Sequence, residues 1–367
     1  MKKDVRNDRL SRLRKALWAK DLDAVLITCP ENRFYLSGFL AEDVGLNESA
    51  GCLLVTRSEN LLLTDGRYVE QARAQAPSFH VLLYKRGLPS LVARLFKELD
   101  IKRCGYEPAF LSCSVFKKIK KAVYPAVFTE FGDLVFRMRA IKDDQEIGKI
   151  KRAQQLAEGV FEEVTGKLKA GMSEKEIAFE ILHGLYMEAD GPSFSPIVAS
   201  GPNSALPHAV PTDRRIGKGE PVIIDMGARF EGYCSDMTRT LFLGEPEPFF
   251  KKIYKVVKEA QEAAQRFIRA GVSGRQADLS ARQVIGNYGF ESYFCHGLGH
   301  GVGIAIHEPP ALSYRNRKRL KSQMVVTVEP GIYVPGRGGV RLENMAVVAE
   351  NGIEIITSEK WYYDFEP

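Results

Sequence analysis

The stretch PVIIDMGARFEGYCSDMTRTLFL, residues 221–243, predicts a β-hairpin that carries two acidic side chains on one face. An apolar run leads to Asp225, a turn at Glu231-Gly232 reverses the chain, and Asp236 lies in the returning strand. In a two-residue turn, position 227 faces position 236, so that Asp225 becomes a diagonal neighbour of Asp236. Because side chains alternate along a strand, both carboxylates are directed towards one site.

The segment MVVTVEPGIYVPGRGGVRLENMAVV, residues 324–348, repeats this arrangement further along the chain. Glu329 ends one apolar run, Glu343 lies in the next, and the turn between them is centred at Gly336. Both glutamates therefore also share a face of their hairpin. Arg341 lies two residues before Glu343, and we expect it to point to that same face and to pair with Glu343.

Three of the six histidines lie within twelve residues, in CHGLGHGVGIAIHEPP at 295–310. The spacing of His296 and His300 is that of a helical zinc motif, but glycine at every second position from 297 to 303 excludes a helix. This density of glycine indicates backbone that lies close to a ligand or to another strand. A phosphate cradle is the alternative, and it is disfavoured because no G-K-[ST] motif and no following helix accompany the run.

Four carboxylates on apolar strands need positive charge, because an ionised carboxylate is costly to bury without a partner. The same strands offer mainly Arg239 and Arg341. A pair of divalent metal ions would supply the charge, and an imidazole such as that of His300 would complete a dinuclear ligand set.

The composition excludes several other classes of protein. The chain has 367 residues, of which 45% are hydrophobic and 27% charged, as in ordinary globular proteins. Its net charge of +6 is carried entirely by residues 1–20, so no basic surface for nucleic acid is expected. No apolar run is long enough to span a membrane. Six scattered cysteines without a C-x-x-C pair indicate reduced thiols and a cytoplasmic protein.

Two domains are predicted from the change of pattern near residue 135. Residues 1–134 alternate helix and strand, which is typical of an α/β domain. Residues 135–367 combine long helices with strands around an antiparallel sheet, which is typical of an α+β domain. No internal repeat is obvious in the sequence.

Short motifs throughout the chain resemble one family. SGPNSALPHA (200–209), HGLGHGVG (296–303), HEPP (307–310) and VEPGIY (328–333) are similar to the proline-specific branch of the pita-bread metallopeptidases, which includes aminopeptidase P and prolidase. NRFYLSGF (32–39) and LLLTDGRYVEQA (61–72) resemble the creatinase-like N-terminal domain of the same branch. The resemblance implies a creatinase-like domain at 1–134 and a pita-bread catalytic domain at 135–367. It also implies a homodimer.

The resemblance implies two divalent metal ions, with Mn(II) favoured and Co(II) or Zn(II) as alternatives. The residues that match the family's ligands are Asp225, Asp236, His300, Glu329 and Glu343. Asp225 should bind one ion, Asp236 and Glu343 should bridge both, and His300 with Glu329 should complete the second. A hydroxide that bridges the two ions would attack the scissile carbonyl, with Glu329 as proton acceptor.

The remaining site residues are also assigned by the resemblance. His208 and His307 should orient the substrate, stabilise the oxyanion and help to protonate the leaving nitrogen, which makes them catalytic as well as substrate-binding. His296 should line the pocket for the residue after the cleaved bond, and Arg341 should contribute to substrate binding.

The main functional prediction is an Xaa-Pro aminopeptidase that acts on peptides with proline in second position. Dipeptide-specific prolidases often carry an arginine four residues after the histidine of the HE-x-P segment, where this chain has Ala311. An Xaa-Pro dipeptidase (prolidase) is the alternative. A non-catalytic pita-bread scaffold for partner binding is a further one, disfavoured because all five ligands are present.

Overall fold

A computed structural model describes residues 5–43, 45 and 48–365 of the chain. The chain divides into two compact units, Met1–Arg139 and Ala140–Pro367. This division falls a few residues after the boundary predicted at 134/135. The predicted boundary lies in the first turn of a helix (Leu134–Ala140), and it stays a prediction. Part of the basic segment 1–20, residues 1–4, lies outside the described residues.

The N-terminal unit alternates helices and strands, as predicted. Its helices are α1 (Val5–Ala19), α2 (Pro30–Ser37), α3 (Val69–Gln75), α4 (Leu88–Glu98), α5 (Cys113–Ala122) and α6 (Leu134–Ala140). Its strands are β1 (Ala24–Ile27), β2 (Cys52–Thr56), β3 (Asn60–Thr64), β4 (His80–Leu83), β5 (Arg103–Tyr106) and β6 (Val127–Glu130), in the sheet order β4-β3-β2-β1-β5-β6. The leucines at helical spacing in α1, Leu10, Leu13 and Leu17, are fully buried, because they form the apolar face of an otherwise polar helix.

The C-terminal unit contains four long helices and two larger antiparallel sheets. Its helices are α7 (Asp144–Gly166), α8 (Glu174–Glu188), α9 (Pro248–Phe267) and α10 (Gly274–Asn287). Its strands are β7 (Ile197–Ser200), β8 (Pro221–Met226), β9 (Arg229–Phe230), β10 (Tyr233–Cys234), β11 (Met237–Phe242), β12 (Gly299–Gly301), β13 (Glu308–Leu312), β14 (Val325–Val328), β15 (Gly331–Val334), β16 (Gly338–Arg341), β17 (Asn344–Val348) and β18 (Ile353–Ile355). The larger sheets have the orders β11-β8-β7 and β13-β12-β14-β17-β18, and β9/β10 and β15/β16 form two ribbons.

The first acidic hairpin has the predicted register. Phe230 pairs with Tyr233, and Asp225 pairs with Thr238, so position 227 faces position 236. Glu231 and Gly232 both have positive φ, of 47° and 80°, as a two-residue type I′ turn requires. The turn and the strand period together place Asp225 and Asp236 on one face.

The second acidic hairpin is equally regular. Val328 pairs with Asn344, and Gly331 pairs with Arg341. The register is the same on both sides of the short gap between β14 and β15, and Glu329 and Glu343 lie opposite each other within it. The prediction that they share a face is confirmed.

Two halves of the C-terminal unit repeat the same structure, which the sequence does not make obvious. Ser173 caps α8 through a capping box with Glu176, and Ser273 caps α10 through one with Gln276. Isolated bridges join Ser173 to Arg215 and Ser273 to Arg319. The two halves have diverged in sequence, since the matching segments read GMSEKE and GVSGRQ.

Within the described residues, no helix combines the length and the apolar character that crossing a bilayer requires. All six cysteines are free thiols.

Candidate metal centre and its cavity

The two hairpins and the glycine-rich segment bring five predicted ligands to one cavity of about 600 Å³ in the C-terminal unit. These residues are Asp225, Asp236, His300, Glu329 and Glu343. Ligand atoms of Asp236, His300 and Glu343 lie within 4.8 Å of one another. His300 Nε2 is 3.6 Å from Asp236 Oδ2 and 3.3 Å from Glu329 Oε1.

The orientation of His300 is fixed by the backbone. Its Nδ1 lies 3.2 Å from the carbonyl oxygen of Gly301, which can only accept, so Nδ1 carries a proton. Burial lowers the pKa of His300, so the ring is neutral and Nε2 has a lone pair. This lone pair faces two carboxylates, Asp236 and Glu329, and a cation bound between the three groups would satisfy them all.

Strand β12 lies close to its neighbours because glycine occupies alternate positions. A Cβ on Gly299 would lie 2.2 Å from the carbonyl oxygen of Thr327. The prediction that these glycines allow close approach of another strand is confirmed, and the approach places His300 beside Glu329. The hydroxyl of Thr327 accepts from His300 N at 3.0 Å and donates to Glu329 Oε1 at 3.0 Å.

The carboxylates repel one another in the absence of positive charge. Burial, and then repulsion from neighbouring carboxylates, raises the pKa of Asp236 and that of Glu343 well above their usual range. Burial also raises the pKa of Glu329. Glu343 is steadied by Thr238, whose hydroxyl donates to Oε2 at 2.7 Å.

Arg341 pairs with Asp225, and the prediction that it pairs with Glu343 is wrong. Its Nη2 donates to Asp225 Oδ2 at 2.6 Å, and its Nε donates to the hydroxyl of Thr238 at 3.1 Å. Its Nη1 donates to the hydroxyl of Tyr333 and to the carbonyl oxygen of Pro207, both at 3.0 Å. The guanidinium therefore organises the carboxylate of a predicted metal ligand, and its own predicted contact with substrate stays a prediction.

The rest of the cavity lining is largely apolar and includes the other predicted histidines. His208, His296 and His307 line it together with Phe194, Ile197, Pro207, Val210, Pro211 and Ile306. The ring of His307 lies 4.2 Å from that of His300, centroid to centroid. Within the described part of the chain, His208 and His307 have no side-chain hydrogen bond, which leaves their ring nitrogens available to a substrate.

His296 has both ring nitrogens engaged. Its Nδ1 donates to the carbonyl oxygen of Gly297 at 2.7 Å, and burial lowers its pKa, so the neutral ring accepts at Nε2 from the hydroxyl of Tyr333 at 2.9 Å. His296 therefore contributes a flat wall to the cavity and no proton transfer.

Sequence reasoning missed two residues of this network, Thr238 and Tyr333. Thr238 is directly opposite Asp225 in the hairpin, and this pairing was readable from the turn. Tyr333 lies at the end of the quoted VEPGIY motif, but its contact with His296 depends on the packing of distant segments.

The residues present fit a pair of divalent cations. Oδ1 of Asp225 is buried and has no hydrogen-bond partner among the described residues, although Oδ2 is bound by Arg341. A buried carboxylate oxygen without a hydrogen-bond partner, close to three other acids, is suited to bind a metal ion. Four carboxylates and one imidazole form an oxygen-rich donor set.

Removing one charge from this cluster should stabilise the metal-free protein. In chelator at pH 8, we expect Asp236→Asn to raise the free energy of unfolding by about 1–3 kcal/mol, because a buried charge without a partner is removed. The melting temperature should rise accordingly. The gain in melting temperature that Mn(II) gives the wild type should disappear. Asp213→Asn, at an exposed aspartate, is the matched control. A metal-free Asp236→Asn protein that melts below the wild type would contradict this account.

Comparison with known proteins identifies the family. Residues 148–350 match Metallopeptidase family M24, and residues 9–141 match the Creatinase/Prolidase N-terminal domain. An Xaa-Pro dipeptidase of Pyrococcus horikoshii is 34% identical over 356 residues, which are 96% of this chain and 98% of that protein.

Two solved structures have the same architecture. The Xaa-Pro dipeptidase from Bacillus anthracis has a TM-score of 0.90 and 39% identity, with 96% of this chain and 98% of that chain covered. The X-Pro aminopeptidase from Thermotoga maritima has a TM-score of 0.85 and 38% identity, with 94% and 97% covered. The predicted α/β N-terminal domain and pita-bread catalytic domain are confirmed. This chain therefore belongs to Metallopeptidase family M24 and is a peptidase, carrying a creatinase/prolidase N-terminal domain, whose family implies divalent metal ions.

Proposed function

We propose that this enzyme is an Xaa-Pro dipeptidase, which cleaves the bond between the first residue and the proline of a dipeptide. The observation that supports it best is a cavity of about 600 Å³ that joins a cluster of four carboxylates and His300 to an apolar wall. Relatives over nearly the whole chain bear the name Xaa-Pro dipeptidase, and they favour this alternative over the aminopeptidase interpretation.

Asp225, Asp236, His300, Glu329 and Glu343 would hold two divalent metal ions. When bound, such ions polarise a carbonyl and lower the pKa of a water molecule. Glu329 would accept the proton of the attacking water, because among the described side chains its carboxylate accepts a hydrogen bond only from Thr327.

His208 and His307 would act on the substrate around the scissile bond. Both line the cavity, and the nitrogens of both rings are available to a substrate. A histidine can donate to the developing oxyanion and deliver a proton to the departing nitrogen of proline.

The flat face of His296 and the apolar wall suit the proline ring. An X–Pro bond is a tertiary amide without N–H, so a site that recognises the carbonyl and a rigid ring can accept it where a site that binds the N–H cannot. His296 is kept in place by Gly297 and Tyr333 and presents its ring to this space.

An Xaa-Pro aminopeptidase is the second candidate, favoured by one residue. Ala311 stands where dipeptide-specific relatives often carry an arginine that binds the terminal carboxylate. The Mn(II) preference, the homodimer and the cytoplasmic location stay predictions.

The test is a panel of Xaa-Pro dipeptides, Xaa-Pro-Xaa tripeptides and Xaa-Gly dipeptides, assayed with Mn(II), Co(II) or Zn(II) added to chelator-treated enzyme. We expect the Xaa-Pro dipeptides to have the highest kcat/KM and the Xaa-Gly dipeptides to be poor substrates. Higher kcat/KM on the tripeptides would establish the aminopeptidase instead. Failure to hydrolyse any of the peptides with any of the metals would contradict both.

A further inference from the structure

Residues 201–212 form a loop that carries His208 into the cavity. The loop follows β7, begins with a short 3-10 helix (Gly201–Ala205) and contributes positions 207–211 to the cavity wall. His208 is exposed and has no side-chain hydrogen bond within the described part of the chain, so its position depends on the backbone of the loop.

Glu174, the first residue of α8, ties the two ends of this loop together. Its side chain is fully buried. Oε1 accepts from the backbone N and the hydroxyl of Ser200, at 2.7 and 2.9 Å, and from Asn203 Nδ2 at 3.1 Å. Oε2 accepts from Asn203 Nδ2 at 3.1 Å and from the backbone N and the hydroxyl of Thr212, at 3.0 and 2.7 Å. One carboxylate thus organises residues on both sides of His208.

The repeated half of the same unit shows that the fold does not need this carboxylate. Gly274 occupies the matching position at the start of α10, and its N donates to Lys318 O at 3.1 Å, as Glu174 N donates to Arg214 O at 3.1 Å. Glycine has no side chain to reach the following loop. The helix start is therefore the same with and without an acid, so the carboxylate of Glu174 is not needed to begin the helix.

We propose that Glu174 is a positioning residue that acts through the loop 201–212 and keeps His208 in its working place. Arg341 supports the same loop in its middle, where its Nη1 donates to Pro207 O at 3.0 Å. A carboxylate that accepts several hydrogen bonds in a buried place holds its partners more tightly than single contacts do. The role of His208 in this proposal rests on the proposed function. The hydrogen bonds by which Glu174 fixes the loop do not depend on it.

Amide hydrogen exchange tests whether Glu174 stabilises the loop 201–212, without any assay of activity. In Glu174→Gln, an amide nitrogen replaces one acceptor oxygen and opposes the donors of the loop. We expect the amides of 201–212 to exchange about tenfold faster than in the wild type, while those of α7 keep their rates. Glu176→Gln is the matched control, because the repeated half already has glutamine at that position of its capping box. Unchanged exchange at 201–212 in Glu174→Gln overturns the proposal.

Kinetics on an Xaa-Pro dipeptide test the link to His208. Glu174→Gln should lower kcat/KM by about tenfold, divided between kcat and KM as in His208→Ala, and should add less than about twofold in the His208→Ala background. Thr212→Val, at an exposed residue that should not endanger folding, should give a smaller loss of the same kind. A full further loss from Glu174→Gln in the His208→Ala background overturns the link. If the wild type hydrolyses no such peptide, the proposed function fails and the exchange measurement alone decides the role of Glu174.

Discussion

Glu329→Gln should lower kcat by about three orders of magnitude on any peptide that the wild type hydrolyses, which is the scale of a lost general base. Glutamine has nearly the shape of glutamate and can still accept from Thr327, so the fold should be unaffected. It cannot accept a proton from water, and it removes one of the two carboxylates that face His300 Nε2. Initial rates and the metal content of the purified variant are the measurements.

The metal content separates the two roles of Glu329. Loss of activity with full metal content assigns proton transfer to this residue, and loss of both assigns it to metal binding. Glu354→Gln is a suitable control, because Glu354 is exposed on β18 and forms an ion pair with Lys151. Turnover within about tenfold of the wild type, with metal bound, would remove Glu329 from the mechanism.

The sequence predicted the acidic hairpins because their geometry is local. A two-residue turn at Glu231-Gly232 and a strand period of two are sufficient to place Asp225 and Asp236 on one face. The register about Gly336 places Glu329 and Glu343 in the same way. Their electrostatic strain also follows directly, since four acids on apolar strands need cations wherever the strands lie.

The contacts between hairpins could not be predicted in this way. Arg341 has Glu343 as its neighbour in sequence, but it binds Asp225, 116 positions away, because the packing of one hairpin on the other decides which carboxylate is in reach. Glu174 is similar. Its position suggests only an acidic residue in the first turn of a helix, whereas its partners Ser200 and Thr212 are brought to it by the return of the chain. The repeat cannot be read from the sequence because, apart from the capping boxes of Ser173 and Ser273, it consists mainly of backbone contacts.

The exposed side chain at position 311 shares a face of β13 with positions 307 and 313. Buried Glu308, Pro310 and Leu312 alternate with exposed positions 309 and 311 along this strand. His307 and Ser313, which flank the strand and continue the exposed face, both line the cavity. We therefore expect a long side chain at 311 to reach a substrate that lies between His307 and Ser313.

Ala311→Arg should raise kcat/KM for Xaa-Pro dipeptides by about tenfold to 100-fold, which corresponds to a hydrogen bond with a charged partner of about 1.5–3 kcal/mol. The free carboxylate of proline lies next to the cleaved bond in a dipeptide but one residue further away in Xaa-Pro-Xaa, so the tripeptide should gain less. Steady-state kinetics on both peptides measure the difference.

Two controls separate charge recognition from simple contact. Ala311→Met has a side chain of comparable length without charge, so it should not raise kcat/KM for the dipeptides. Xaa-Pro amides lack the carboxylate, so Ala311→Arg should not raise kcat/KM for them. An equal gain with methionine, or on the amides, would mean that added apolar surface is responsible. No gain on any peptide would show that the histidines of the cavity already satisfy the carboxylate, and Ala311 would then cease to favour the aminopeptidase candidate.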